Sequence, residues 1–154
     1  MYIVLPNNNQ WVYKGNNMKV KVAATQMSCS WELDKNIEKA KKIVNSAAAD
    51  GANIILLQEL FQSPYFCIEY DEKIFELAQT FEDSVLIKEM SGVCKKLNIV
   101  LPVSYFEKSN NAYFNSIAVI DSDGSVLGNY RKSHIPDGAG YLEKYYFNPG
   151  NSGF

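Results

Sequence analysis

KVKVAATQMSCSWELDKNIEKAKKIVNSAAADGANIILLQ, residues 19–58, reads as strand, helix, strand. Lys19–Thr25 (KVKVAAT) alternates and is rich in Val, the period-2 signature of a strand. Asp34 stands where a helix N-cap is wanted. Ile37, Ala40, Ile43, Val44, Ala47 and Ala48 then recur at helical spacing until Gly51 supplies the stop. Asn53–Gln58 (NIILLQ) is apolar on both faces, which predicts a central strand covered on both sides. Two strands joined by a crossover helix at this spacing pair in parallel with a right-handed connection. The chain is therefore expected to be α/β.

The pattern continues toward the C-terminus. A second helix is expected from Ser84 to Leu97, with Leu86, Ile87, Met90, Val93, Cys94 and Leu97 as its buried stripe. Ile99–Ser104 (IVLPVS) reads as a strand whose Pro places it near an edge or a bulge. Phe114–Ile120 and Ser125–Tyr130 flank Asp121-Ser122-Asp123-Gly124, a hairpin loop with Gly where a positive φ is wanted. The order is β-α-β-α-β-β-β without internal repeats, helices stacked on a sheet. Residues 1–17 are Asn-rich and without period, and are expected to be a poorly ordered extension of a domain spanning 18–154. An edge strand over Tyr2–Leu5 is the alternative. At least two strands read as buried on both faces, yet only two long helices are available to cover them. Leaving such strands bare costs roughly 25 cal/mol per Å² of apolar area. Either a partner chain covers them, or the sequence is the front part of something longer.

At 154 residues, 47% apolar and 21% charged, the chain has material for one soluble domain with a real core. A net charge of −2 offers no basic surface and argues against nucleic-acid binding. The longest aliphatic run, Ile54–Leu57, falls far short of the roughly 20 residues that span a bilayer. No secretory signal is expected, since the N-terminus lacks a charged region followed by a small-residue cleavage site. Cys29, Cys67 and Cys94 are widely spaced, with no CxxC and no nearby His. Reduced thiols in a cytoplasm fit that pattern better than a disulfide framework or a zinc site.

The stretch richest in chemistry is Tyr130–Gly150, YRKSHIPDGAGYLEKYYFNPG. It is too dense in Gly and Pro for regular structure and too aromatic for a disordered linker, so it reads as a long shaped loop. Lys132 and Glu143 are expected to meet there, with Glu59 as a third wall. Glu59 follows the central strand, where sites gather in open α/β sheets. Each has an ordinary alternative: a solvated strand-end carboxylate for Glu59, surface charge for Lys132, a helix-start residue for Glu143. His134, the one His, has no matching Ser or Cys motif and reads as loop packing. No cysteine looks activated, and Cys94 on an apolar stripe is a buried small hydrophobe. Tyr65 and Phe66 are candidates to line a pocket, with ordinary packing as the alternative.

These pieces together resemble the nitrilase (carbon–nitrogen hydrolase) superfamily. The resemblance runs from Met18 to Phe154. It rests on Gly51-Ala52-Asn53-Ile54 leading into Gln58-Glu59-Leu60-Phe61, Tyr65-Phe66-Cys67, PVSYFE (102–107), FNSIAVID (114–121) and the whole of 130–150. Ser133 to Gly138 with the following Tyr146-Phe147-Asn148-Pro149-Gly150 is narrower, and points to the branch acting on carbamoylputrescine. The resemblance implies the first half of a four-layer αββα sandwich. It implies a Glu-Lys-Cys site in which Glu59 is the general base, Lys132 the cation at the oxyanion and Glu143 a second, orienting Glu. The cysteine expected of the family lies in a Gly-rich segment beyond the Lys, and no such segment occurs here, so this chain alone is expected to be inactive. Implied with it are a small ureido substrate, no metal or organic cofactor, and a homo-oligomer for the full-length enzyme. The alternatives are a non-catalytic module pairing with a nitrilase-like partner, or a neighbouring branch acting on aliphatic amides or β-ureido acids.

Overall fold

A computed structural model describes residues 2–4 and 19–153. Strand β1 (Tyr2–Val4) pairs antiparallel with β2 (Val22–Thr25), and β2 pairs in parallel with β3 (Ile54–Leu56). Between β2 and β3 runs α1 (Leu33–Ala49), which makes the expected βαβ unit. Tyr2–Val4 realises the edge-strand alternative, while most of the extension expected over 1–17 lies outside the described residues. After a 3-10 turn at Glu72–Leu77 and α2 (Val85–Leu97) come three antiparallel strands: β4 (Leu101–Ser109), β5 (Ala112–Ile120) and β6 (Val126–Arg131). A parallel bridge between Ile54 and Val100 lets the two three-stranded sheets run into one another. The short α3 (Glu143–Tyr146) lies in the last loop.

Helix α2 starts as its sequence demands. Ser84 accepts a hydrogen bond from the Ile87 N–H, and Asn98, left-handed at φ 55°, closes the other end. Helix α1 does not start at Asp34. Its N-cap is Glu32, which makes no side-chain cap bond, and Asp34 sits within the first turn, where its charge still suits the helix dipole. Gly51, at φ 87°, ends that helix as expected.

The helices cover one face of the sheet. Ala40, Val44 and Ala47 of α1 and Leu86, Ile87, Met90 and Cys94 of α2 pack on Ile55, Leu101, Val103, Ala118 and Ile120. The strand alternation sends Leu56, Ser104, Asn115, Ile117 and Tyr130 to the other face. That face is the one for which these residues supply no helices: Ile55 is buried, but Leu56 is 47% exposed. Both layers of an α-on-β half are thus present, with an apolar sheet face turned away from the helices. A second, aromatic core of Phe66, Phe106, Tyr146 and Phe147, with Leu60, Cys67, Ile74 and Ile135, packs the segments after β3 and β6 together.

Candidate active site

Glu59 is delivered by a distorted turn. On one side, Gln58 is clamped by two 2.8 Å bonds to the Met27 backbone: its amide accepts from N–H and donates to C=O. On the other, Leu60 is held at φ 51°, uncommon for a residue with a Cβ, with its N–H donating to Ser104 Oγ at 3.0 Å. The side chain of Glu59 remains 47% exposed and is fixed by Asn115, whose Nδ2 donates to Oε1 at 2.6 Å.

Lys132 follows β6 and extends its ladder, N–H to the Asn115 carbonyl at 2.9 Å. The residue before it is anchored on the opposite face. There the Arg131 guanidinium donates twice to Glu107, which is 1% exposed and also accepts from Ser116 and Asn129. The residue at the loop's far end closes on the same point. Gly150 donates its N–H to the Lys132 carbonyl at 2.8 Å, and a Cβ there would stand 2.1 Å from the Arg131 carbonyl oxygen. Glycine is required at that contact by sterics alone.

Glu143 opens α3 and is 3% exposed. One oxygen lies 2.8 Å from Lys132 Nζ, and the other accepts from the Tyr65 hydroxyl at 2.8 Å. Lys132 Nζ also lies 3.4 Å from Glu59. The three residues expected to meet do meet. Burial pulls the Lys132 ammonium toward deprotonation, but the bond to Glu143 and the charges of Glu59 and Glu143 outweigh it, so its pKa sits above the ordinary lysine value. The cation is therefore permanent at neutral pH. Glu143 is spent on Lys132 and Tyr65, whereas Glu59 faces an open cavity of about 270 Å³ lined also by Leu56, Ser104, Asn115, Tyr130 and Lys132.

Of the two aromatic candidates, Tyr65 joins the site through its hydroxyl. Phe66 packs instead, 4% exposed, with ring centroids 5.0 Å from Tyr146 and 5.4 Å from Phe106. His134 is exposed and takes no part in the hydrogen bonds joining Glu59, Lys132 and Glu143. Cys67 lies close to the charges but is fully buried. Burial, then the Glu143 charge, pushes its thiol up to about 12, against smaller opposing effects of Tyr65 and Lys132. Burial raises Cys29 and Cys94 as well, Cys94 to about 11. All three thiols are shifted up, the opposite direction to the lowered pKa that activates a cysteine. Asn115 and Ser104 escaped sequence reasoning. The available signal was alternation: in FNSIAVI, Asn115 falls on the face of Ile117 rather than that of Phe114 and Ser116. Among the described residues, no group of three or more His, Cys, Asp or Glu is set to hold a metal.

The carbon-nitrogen hydrolase family pattern matches residues 21–154. An N-carbamoylputrescine amidase of Solanum lycopersicum is 51% identical over 138 residues, covering 90% of this chain and 46% of that protein. A citrullinase of Francisella tularensis subsp. tularensis is 49% identical over 135 residues, 88% of this chain and 47% of its own. The crystal structure of a carbon-nitrogen hydrolase from Helicobacter pylori G27 superposes with a TM-score of 0.81 at 36% identity, over 88% of this chain and 46% of that one. The chain thus spans about half the length of the curated relatives it matches.

Proposed function

This chain belongs to the carbon–nitrogen hydrolase family, and on that premise we propose that its charged cluster serves hydrolysis of the carbamoyl C–N bond of N-carbamoylputrescine. The products are putrescine, CO2 and ammonia. The observation that carries the reading is the Lys132 ammonium, fixed by buried Glu143 at 2.8 Å and facing the exposed carboxylate of Glu59 beside an open cavity. Relatives named for a carbamoylputrescine and for citrulline both act on a terminal ureido group, which supports that substrate class.

Glu59 takes the proton of a cysteine thiol, and the thiolate forms a C–S bond to the ureido carbon while the carbonyl electron pair moves onto oxygen. Lys132 stabilises that oxyanion. Collapse breaks the C–N bond, and Glu59 returns the proton to departing ammonia. Water then loses a proton to Glu59 and attacks the same carbon, the C–S bond breaks, and the thiol is restored. The released carbamate of putrescine loses CO2. One water enters and no other reactant is needed. The raised thiols of Cys29, Cys67 and Cys94 fit none of these steps, so the attacking cysteine is assigned to residues outside these 154. The reading includes a homo-oligomeric whole enzyme and a reducing, cytoplasmic setting, the latter supported by three unpaired thiols.

The test is ammonia release from N-carbamoylputrescine by a protein joining these residues to a reactive cysteine. Lys132→Met is expected to lower its kcat/KM by about 10²–10³-fold, and the 154-residue chain by itself to be inactive. Turnover by the short chain alone would sink the reading. A longer protein that hydrolyses citrulline and leaves N-carbamoylputrescine untouched establishes the second reading, which the citrullinase similarity favours.

A further inference from the structure

A second cavity, of about 130 Å³, counts Tyr65 among its lining residues, with Trp31, Ile68, Glu69, Asp71 and Ile74. No Lys or Arg lines it, and neither Glu69 nor Asp71 forms an ion pair among the described residues. Asp71 uses one carboxylate oxygen to accept from the Lys73 N–H, which caps the following 3-10 turn. The loop carrying the two acids is held in place from below. Tyr146, 2% exposed, donates its hydroxyl to the Glu69 carbonyl at 2.6 Å and accepts from the Asp71 N–H at 2.9 Å. Tyr146 stands on α3, the same short helix whose Glu143 holds Lys132 and Tyr65. One helix therefore fixes both the charged cluster and the acidic loop, and Tyr65 belongs to both.

We propose that this cavity binds a primary alkylammonium group. Aromatic faces attract cations, most strongly Trp. Two carboxylates outside any ion pair complement an ammonium and repel an anion. Ile68 and Ile74 supply apolar wall for a short methylene chain. The cation has two chemical sources, the amine tail of a ureido substrate held at Lys132 or a free diamine. The site itself does not depend on the hydrolase reading, which enters only in the choice of probes.

Binding is read from the emission of Trp31 in a Trp11→Phe background, without turnover. Putrescine is expected to change the emission saturably, and uncharged n-butylurea not at all. The Glu69→Gln/Asp71→Asn double variant, with near-UV circular dichroism as its folding control, should weaken putrescine about tenfold. Equal responses to putrescine and butylurea, or unchanged putrescine affinity in the folded double variant, would overturn the proposal. N-carbamoylputrescine then separates the sources. If the cavity holds a substrate tail, Lys132→Met weakens this compound and spares putrescine, whereas a free-diamine site leaves both unchanged. Failure of putrescine to bind leaves the hydrolase reading standing, and absence of turnover leaves this site standing.

Discussion

Glu59 and Glu143 have the same chemistry and opposite surroundings. The Glu143 side chain is 5% exposed and uses both oxygens, while that of Glu59 is 47% exposed and open to the cavity. Replacing the buried carboxylate by an amide leaves one acceptor oxygen for two donors, Lys132 and Tyr65, so Glu143→Gln is expected to cost about 1–3 kcal/mol of unfolding free energy. Glu59→Gln should stay within about 0.5 kcal/mol. Urea unfolding of both variants measures the contrast, and equal losses would contradict the division of labour. Glu107 makes a pH-dependent prediction. Burial pushes its carboxyl up, but the bonds from Arg131, Ser116 and Asn129 and the Arg131 charge more than offset that, and its pKa lies below the ordinary 4.5. A depressed carboxyl contributes stability that is complete above its unfolded pKa and lost as pH falls through the folded one. The stability advantage of the wild type over Glu107→Gln should therefore be constant near neutrality and shrink below about pH 4.5. Urea unfolding at pH 7 and pH 3 reads this difference, and an advantage that is unchanged or larger at acid pH would be the wrong sign.

At the scale of elements, the two long helices differ in how they begin. Ser84 caps α2 with its hydroxyl, and Asp34 lies one residue inside α1 without a capping bond. Ser84→Ala should cost about 0.5–2 kcal/mol, whereas Asp34→Ala loses only a first-turn dipole interaction of about 0.3–1 kcal/mol. Chemical denaturation of the pair should rank Ser84→Ala as the more destabilising, and the reverse order would make Asp34 the true cap. Strand β4 also ran five residues beyond the expected end at Ser104, to Ser109. Its pairing with β5 through Tyr105–Ser109 sets Glu107 under Arg131 and so steadies the backbone that carries Lys132.

For the molecule as a whole, the sheet has one face under helices and one that carries the site among exposed apolar residues. Leu56 and Tyr130, 47% and 41% exposed, flank the same cavity as Glu59 and Lys132. An open apolar surface of this kind binds solvatochromic dyes and promotes association. Leu56→Lys is expected to reduce dye binding and self-association of the 154-residue chain while leaving its unfolding free energy within about 0.5 kcal/mol. Unaltered dye binding would place the adhesive surface elsewhere. No helix among the described residues is long and apolar enough to cross a membrane.

The α/β order, the βαβ unit, the 121–124 hairpin and the meeting of Glu59, Lys132 and Glu143 were legible in the residues. Periodicity and turn chemistry act over a few positions, and the family motif carries the charged groups. Asp34 misled because a good capping residue is no proof of a cap; only the path of the chain before a helix decides which N–H groups are open. The inequality of the two glutamates, the clamp of Asn115 on Glu59, the Glu107–Arg131 anchor and the single helix tying Glu143 to the acidic loop were decided by tertiary structure alone. Each joins residues from separate segments, and burial and hydrogen bonding are properties of what the folded chain brings alongside a residue, which no local pattern encodes.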